Sequence, residues 1–519
     1  MTESPMQTRK SFFAAKGLTK TIEAEITRLQ ELYRSDDTPW VIGYSGGKDS
    51  SAVAQLVWLA LADLRESERN KPVYVITTDT LVENPIVASW VTTSLDVMGQ
   101  SADQLGIPIK PHLITPEVSQ TFWVNLIGKG YPAPRPRFRW CTERLKIKPS
   151  SKFIQDVANE HGEVILLLGT RKAESAVRAA RLNEREKDRS DGLSPHPELV
   201  NTLVLSPIRD WANDDVWTFL MQVPNPWGHS NKDLMAMYRG ATEDNECPVV
   251  VDTTTPSCGN SRFGCWVCTL VDQDKSMSAM IQNDVEKEWM LPMLELRNEL
   301  DFRGDDAHAR DRKRRDFRRL TGRLTHYKDR DNNLRLVPGP YTQDSRRYWL
   351  TRVLSVQRQI HDNPATPESL RNIELISIDE LQEIRRVWVS EKREIEDVVP
   401  QIYVQCLERE YPGAAIDENL VFDASTFEIL KNLCEGDRLL YETTRNLLDV
   451  ERQYRLKGAR HGLFDSIEKA IRSGFFVDEE DALKWHKYMK QIPEDRDIEE
   501  EHVTSQLDFP DLDAEDATQ

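Results

Sequence analysis

Ile22, Ile26, Leu29 and Leu32 recur among polar neighbours at the spacing of one helix face, so Thr19 to Arg34 is expected to form an amphipathic helix. Short apolar runs follow at Trp40 to Tyr44, Pro72 to Thr77, Ile107 to Leu113, Glu163 to Leu168 and Thr202 to Leu205. Helical stretches separate them, and strands alternating with helices are therefore expected. That alternation specifies an α/β fold, a parallel sheet with helices on both faces. Beyond Met290 the pattern changes to charged residues at helical spacing, broken at Pro338-Gly339-Pro340 and continuing through a Glu- and Arg-rich stretch from Pro367 to Lys457. A mainly helical C-terminal region is expected there. At 519 residues the chain exceeds one ordinary core. The expected division is a helical segment over 1–38, a sheet-bearing domain over 39–275, a charged helical domain over 276–493 and a tail over 494–519.

The strongest local chemistry lies after the first strand. Val41-Ile42-Gly43-Tyr44 leads into Ser45-Gly46-Gly47-Lys48-Asp49-Ser50, and Ala52, Val53, Leu56 and Leu59 then make a helical stripe. Strand, glycine-rich turn and helix in that order form an anion site. The glycines let backbone approach a phosphate without a Cβ clash, and the helix start offers N–H groups and a positive dipole end. Ser45 and Ser50 can add hydroxyl donors. The loop does not meet the Walker A pattern, because Asp49 follows Lys48 where Ser or Thr is required and Ile42 stands where the first Gly belongs. After the fourth strand, Arg171, Glu174, Ser175 and Arg178 fall at offsets that share one helix face. Two cations at a strand's carboxyl end suit a phosphate or sulfate. The alternative is a solvated charged face with an internal salt bridge.

Charge and cysteine content narrow the classes. The net charge is −18, of which Glu494 to Gln519 contributes −10 with eleven acids against Arg496, and the rest of the chain is about −8. Overall charge therefore cannot drive nucleic-acid binding. Arg303 to Arg323 is a local exception, with nine Arg or Lys against four Asp. It reads equally as a helix face laced with pairs to Asp311 and Asp316 or as a phosphate contact. The acidic tail is too polar to offset its own ordering entropy and is expected to be disordered. No run of 18 apolar residues and no signal-peptide pattern occurs, which leads to the expectation of a soluble cytoplasmic protein. Seven cysteines in so long a chain do not make a disulfide framework. Cys258, Cys265 and Cys268 lie in a Gly-, Ser- and Thr-rich stretch, Cys247 is close by, and Cys141 precedes a Lys- and Arg-bearing segment. Four such thiolates satisfy either zinc or an iron-sulfur cluster. Cys406 and Cys434 sit in apolar helical contexts and read as core.

The Ser45 to Ser50 loop resembles the SGGxDS loop of PP-loop ATP pyrophosphatases, which cleave ATP between the α and β phosphates. Further segments resemble the PAPS reductase branch of that superfamily. Thr78-Asp79-Thr80-Leu81-Val82-Glu83 is similar to its Asp-Thr-Gly segment beside the nucleotide, with Leu81 in place of glycine. Ser206-Pro207-Ile208-Arg209-Asp210-Trp211 with Asn213-Asp214-Asp215-Val216-Trp217 is similar to its Pro-Leu-x-x-Trp-x-x-x-Asp-Val-Trp segment, with Asn213 a candidate helix cap and Val216, Trp217 and Leu220 candidate core. The segment Cys141 to Pro149 resembles the Cys-x-x-Arg-Lys-x-x-Pro segment whose cysteines, in the APS reductases, join a late pair to hold a four-iron four-sulfur cluster. Those relatives carry a tandem Cys-Cys, but here Trp140 precedes Cys141, and Cys258 is the natural substitute for the missing ligand, with Cys247 competing. On this resemblance Cys141, Cys258, Cys265 and Cys268 hold a 4Fe-4S cluster, with structural zinc as the alternative.

Val337-Pro338-Gly339-Pro340-Tyr341-Thr342-Gln343, Tyr348-Trp349-Leu350 and the Cys247 to Cys268 stretch extend the likeness over nearly the whole chain before the tail, to the DndC family. Its members are the ATP pyrophosphatase and iron-sulfur subunits of bacterial DNA phosphorothioation. The resemblance implies a sulfurtransferase that uses ATP and Mg²⁺, with DNA, a cysteine desulfurase as sulfur donor and other Dnd subunits as partners. It implies Ser45, Lys48, Asp49, Arg171 and Arg178 as catalytic residues. Tyr44, Ser45, Gly46, Gly47, Asp49, Ser50, Asp79 and Thr80 would contact the nucleotide. Arg314, Arg315, Arg318 and Arg319 would be the phosphate contacts on DNA. Two other readings stand beside it. A sulfonucleotide reductase acting on PAPS or APS would use the same fold but needs a late redox cysteine, and none follows Cys434. A scaffold of a Dnd-type complex would bind nucleotide without turnover.

Overall fold

Along strand β1 (Trp40–Gly43), Trp40 and Ile42 enter one apolar core and Val41 enters another. Strand β4 (Val164–Leu167) repeats the division, with Ile165 and Leu167 in the first core and Val164 and Leu166 in the second. A strand buried on both faces has no need of polar alternation, which is why these runs read as continuously apolar. The structure is a computed structural model and describes residues 11–174, 192–241, 264–414 and 424–491, apart from short breaks at 304, 321–322, 329–331, 393, 395–396, 456–459, 473–475 and 477.

The remaining strands are β2 (Val73–Thr78), β3 (Ile109–Ile114), β5 (Ser194–Pro195) and β6 (Thr202–Leu205). Their order is β3-β2-β1-β4-β6-β5, parallel throughout except for the short β5, which runs antiparallel to β6. Helices α1 (Leu18–Arg34), α2 (Lys48–Ala62) and α3 (Pro85–Leu105) and the helix Asn213–Gln222 line the first core, and the helix Lys148–His161 covers the second. The fold is therefore the expected parallel sheet with helices on both faces. Strand order runs outward from β1 through β2 to β3 on one side and through β4 to β6 on the other. The reversal lies between β1 and β4, and ligands of open α/β sheets bind at the carboxyl ends of such a pair.

Two compact units divide the described residues. One takes its residues from Met1–Phe122, Cys141–Leu300 and Ser355–Leu375, the other from Trp123–Trp140, Asp301–Leu354 and Ile376–Gln519. The second unit is mainly helical and carries one hairpin, His326–Lys328 with Leu334–Leu336. Residues 123–140 pack there because they form its core: the Trp388 indole donates to the Ile127 carbonyl at 2.9 Å. None of the described helices is long and apolar enough to cross a membrane.

The basic run of this unit makes contacts within the unit. Its helix stops at Lys313, and Arg314, Arg315 and Arg318 beyond it reach intramolecular partners. Arg315 is 8% exposed, pairs with Asp311 at 3.5 Å and donates to the Gly339 carbonyl at 2.7 Å. Arg318 is 14% exposed and pairs with Asp316, while Arg314 lies over the rings of Tyr348 and Trp349. The pairs to Asp311 and Asp316 exist as the sequence suggests, and the Pro338 to Pro340 segment folds against them, with Asp316 still 25% exposed. Asp316 and Gly339 exchange backbone bonds with that segment, Gly339 N to Asp316 O at 2.7 Å and Asp316 N to Pro340 O at 2.8 Å. A Cβ at Gly339 would stand 1.6 Å from the Arg318 carbonyl oxygen. Gly339→Ala should therefore strain this seam by about 1–3 kcal/mol, read as a lower thermal midpoint of the purified chain.

Candidate functional site

The glycine-rich turn stands at the predicted place, between β1 and α2. Tyr44 N still donates to the Ile76 carbonyl at 2.8 Å, and Thr77 Oγ1 donates to the Tyr44 carbonyl at 2.6 Å, so β2 fixes where the loop departs. Ser50 Oγ accepts from Ser45 N at 3.1 Å and donates to the Gly47 carbonyl at 3.0 Å, with Ser45 Oγ 3.2 Å away. Ser50 therefore organises the loop from inside. Gly46 adopts φ +70°, which favours glycine, and a Cβ there would meet Val91 Cγ2 at 2.4 Å. Lys48 opens α2, so the loop lies at the positive end of that helix.

Asp49 is the charged centre. Lys48 Nζ lies 3.0 Å from one of its oxygens and Arg171 Nε 2.8 Å from the other. Arg171 follows β4, is 4% exposed, and reaches the Trp211 carbonyl at 3.4 Å. The approach of the two strand ends needs Gly169, whose Cβ would fall 2.8 Å from the Asp49 carbonyl carbon. Tyr238 closes the other side, its hydroxyl accepting from Lys48 N at 3.4 Å. Burial, followed by smaller effects of the Lys48 amide, Asp49 and Arg171, holds its phenol above the usual range and keeps it neutral. The buried Asp49 Oδ1 has no hydrogen-bond partner, only the Arg171 charge. A carboxylate of that kind fits a Mg²⁺ ion once a phosphate draws the cations away.

The helix expected over Arg171 to Arg178 does not begin at Arg171, because a short 3-10 turn, Lys172–Glu174, follows it. Arg178 and Ser175 lie outside the described residues. Asn213 is not the cap of its helix. Ala212 takes that place and its N–H donates to Asp215 at 2.8 Å, while Val216, Trp217 and Leu220 are core as expected.

Asp79 and Thr80 follow β2. Leu81 adopts φ +62°, the left-handed conformation that glycine takes without cost, and its N–H donates to Asp79 Oδ1 at 2.8 Å. That Asx turn stabilises a bend that costs a branched side chain about 1–2 kcal/mol. Burial raises the Asp79 carboxyl, offset in part by the Leu81 bond and reinforced by the charge of Glu83.

Thr80 leads directly to the cysteines. Its hydroxyl contacts Glu83 Oε1 at 2.9 Å and Cys265 Sγ at 3.3 Å, and Lys146 Nζ stands 3.3 Å from the same Glu83 oxygen. Backbone bridging of Glu83 to Cys265, with Trp266 N donating to the Val82 carbonyl at 2.9 Å, fastens the cysteine turn to the loop after β2. Arg297, 1% exposed, holds the far side of that turn, donating to the carbonyls of Cys268 at 2.9 Å and of Asp272 at 3.3 Å. Cys141 lies within electrostatic reach of both Cys265 and Cys268. Among the described residues no three His, Cys, Asp or Glu form a ready metal cage. Cys258 and Cys247 lie outside the described residues. Three thiols gathered in a largely buried place fit a thiolate-bound metal. Without a cation there, burial opposes ionisation: with the charge of Cys268 it pushes Cys141 up to about 11, and with the charge of Glu83 it pushes Cys265 up to about 12. A cation bound there would reverse that preference. For Lys146 burial opposes the charge, but Cys265, Glu83 and Cys141 outweigh it and its pKa is raised.

Glu83, Lys146, Tyr238 and Arg297 were not singled out from the sequence as site residues. Glu83 and Lys146 lie inside motif segments, whereas Tyr238 and Arg297 sit in ordinary helices and leave no local signal.

Residues 39–227 match the family model of the phosphoadenosine phosphosulfate reductase domain, so this stretch is a PAPS reductase-like domain. An uncharacterized protein of Methanocaldococcus jannaschii, MJ0066, is 27% identical over 199 residues, covering 38% of this chain and 35% of that protein. The chain thus matches about a third of the length of this curated relative. Among solved structures, the U34-tRNA thiolase NcsA of Methanococcus maripaludis with its [4Fe-4S] cluster is 17% identical, over 39% of this chain and 63% of that one, with a TM-score of 0.26. The PAPS reductase of Candida auris in its phosphate complex is 14% identical, over 40% and 86%, with a TM-score of 0.23.

The two raised thiols give a pH test in the metal-free protein. A thiol ionising near 9.0 when unfolded but near 11 or 12 when folded stabilises the fold below pH 9. That contribution is lost as pH rises through the folded values. Iodoacetamide should accordingly label Cys141 and Cys265 slowly at pH 8 compared with a free thiol, and the unfolding midpoint should fall above pH 9.

Proposed function

We propose that the chain is the ATP-cleaving sulfurtransferase subunit of a DNA phosphorothioate modification system of the DndC kind. The observation that carries the reading is the Thr80 to Cys265 contact at 3.3 Å, which sets the thiols against the strand end that flanks the phosphate loop. Activation of an acceptor and delivery of sulfur both need that proximity.

In this reading a DNA phosphate oxygen attacks the α-phosphorus of ATP, pyrophosphate departs, and the oxygen becomes part of an AMP leaving group. The Ser45 to Ser50 loop and the start of α2 receive the departing pyrophosphate. Lys48 and Arg171 turn from Asp49 to the phosphates, which frees the Asp49 carboxylate for Mg²⁺. A metal held there would supply neutralisation of phosphate charge. Asp79 and Thr80, at the end of β2, border the nucleotide. Cys141, Cys265, Cys268 and Cys258 would hold a 4Fe-4S cluster, which would supply thiophilic chemistry for sulfur handling, with a cysteine desulfurase as the sulfur donor. With Arg315 and Arg318 engaged by intramolecular partners, DNA contact draws on other surfaces or on the partner subunits. The same domain would also serve a sulfonucleotide reductase, the name its family model carries.

Incubated with ATP, the chain should release AMP and pyrophosphate, and Asp49→Ala or Ser45→Ala should lower the rate by 100-fold or more, on the order expected when a charge-positioning group is lost. ADP as the main product would overturn the pyrophosphatase assignment. Protein purified without oxygen should be brown, with Cys265→Ser and Cys268→Ser losing the colour and the iron, whereas a colourless protein with one zinc would assign a structural metal. Loss of nuclease-resistant sulfur-bearing dinucleotides on deletion of the gene tests the DNA step, and loss of sulfate assimilation alone would favour the reductase.

A further inference from the structure

Helix α3 contributes no residue to the phosphate loop, yet it touches the loop at three successive points of one face. Trp90 Nε1 donates to the Gly46 carbonyl at 3.3 Å. Val91 Cγ2 occupies the space a Gly46 side chain would need. Ser94 Oγ lies 2.8 Å from the Tyr44 hydroxyl and 3.4 Å from Trp227 Nε1. Asn84 caps the helix, accepting from Ile86 N at 3.0 Å, and Pro85 stands in its first turn, so these residues project from a fixed start. The Trp90 ring is itself backed by His229, with ring centroids 3.8 Å apart.

The contact to Gly46 has a consequence through peptide planarity. The Gly46 carbonyl and the Gly47 N–H belong to one trans peptide and point in opposite directions. Turning the carbonyl toward Trp90 therefore turns the Gly47 N–H away from α3. At φ +70° Gly46 has the freedom to rotate that plane, and without a donor on the carbonyl nothing in the glycine itself would select one orientation. We infer that Trp90 is a positioning residue for phosphate binding: by holding the Gly46 carbonyl it aims the Gly47 amide at the bound phosphate. This rests on the reading of Ser45 to Ser50 as the nucleotide's phosphate loop.

The test is Trp90→Phe in the full chain, which keeps a ring against His229 and removes the N–H donor. Affinity for pyrophosphate and for ATP is measured by calorimetry, beside the thermal midpoint. Pyrophosphate and ATP are each expected to bind about five- to tenfold more weakly, on the scale of one ordinary hydrogen bond, with the midpoint unchanged. Wild-type affinity in the variant overturns the positioning role and leaves the loop assignment standing. Weaker binding accompanied by a lowered midpoint also overturns it, since Trp90 is then part of the packing alone. Failure of the wild-type chain to bind either ligand removes the loop assignment itself. Should Trp90→Phe not fold, His229→Ala, which takes away the ring behind Trp90, decides by the same affinities and midpoint.

Discussion

Asp49 lies between Lys48 and Arg171 where the ends of β1 and β4 meet, and the rest of the site is arranged around that carboxylate. Two unit charges 4 Å apart interact by about 4 kcal/mol at the effective dielectric of a protein surface. With side-chain exposures of 22%, 16% and 5% for Asp49, Lys48 and Arg171, none of the three can be removed without leaving a poorly solvated charge behind. The three are therefore stable together without ligand, and a polyphosphate, which brings more negative charge than one carboxylate, can displace Asp49 from its cations. The geometry that permits this is a backbone property: Gly169 lets the β4 end approach the first turn of α2, and the reversal of strand order opens the crevice there.

The parts of this arrangement that were legible in the sequence are those encoded locally. Strand β6 falls on the residues its apolar run marks, and the other strands of the parallel sheet start or end within two residues of theirs, because burial on both faces leaves unbroken apolar runs. The glycine-rich turn between β1 and α2 was legible because glycine and serine at fixed offsets mark a tight strand-to-helix turn. Long-range partners were not legible. Tyr238 meets the loop from 190 positions away, and Arg297 reaches the cysteine turn from a helix whose own periodicity explains it fully. The basic run left two readings open, a face laced with ion pairs or a phosphate contact, and its pairing against the seam around Gly339 is encoded by no local pattern.

Leu81 joins the two halves of the site. Glycine would adopt its left-handed conformation freely, yet here a branched residue is held there by the Asp79 side chain, and the next residues, Val82 and Glu83, bridge to Cys265 and Trp266. The bend thus makes one continuous piece of the strand end beside the phosphate loop and the seat of the cysteine turn. Exchange of Asp79 contacts on nucleotide binding would reach Thr80 within one residue, and Thr80 shares its hydroxyl between Glu83 and Cys265. A two-step reaction, in which an activated acceptor must wait for sulfur, benefits from such short mechanical distance, since neither the leaving group nor the thiol has to move far. The strain at Leu81 is then explained by what it connects: a relaxed loop would follow a different path and would leave the cysteine turn without its backbone partner.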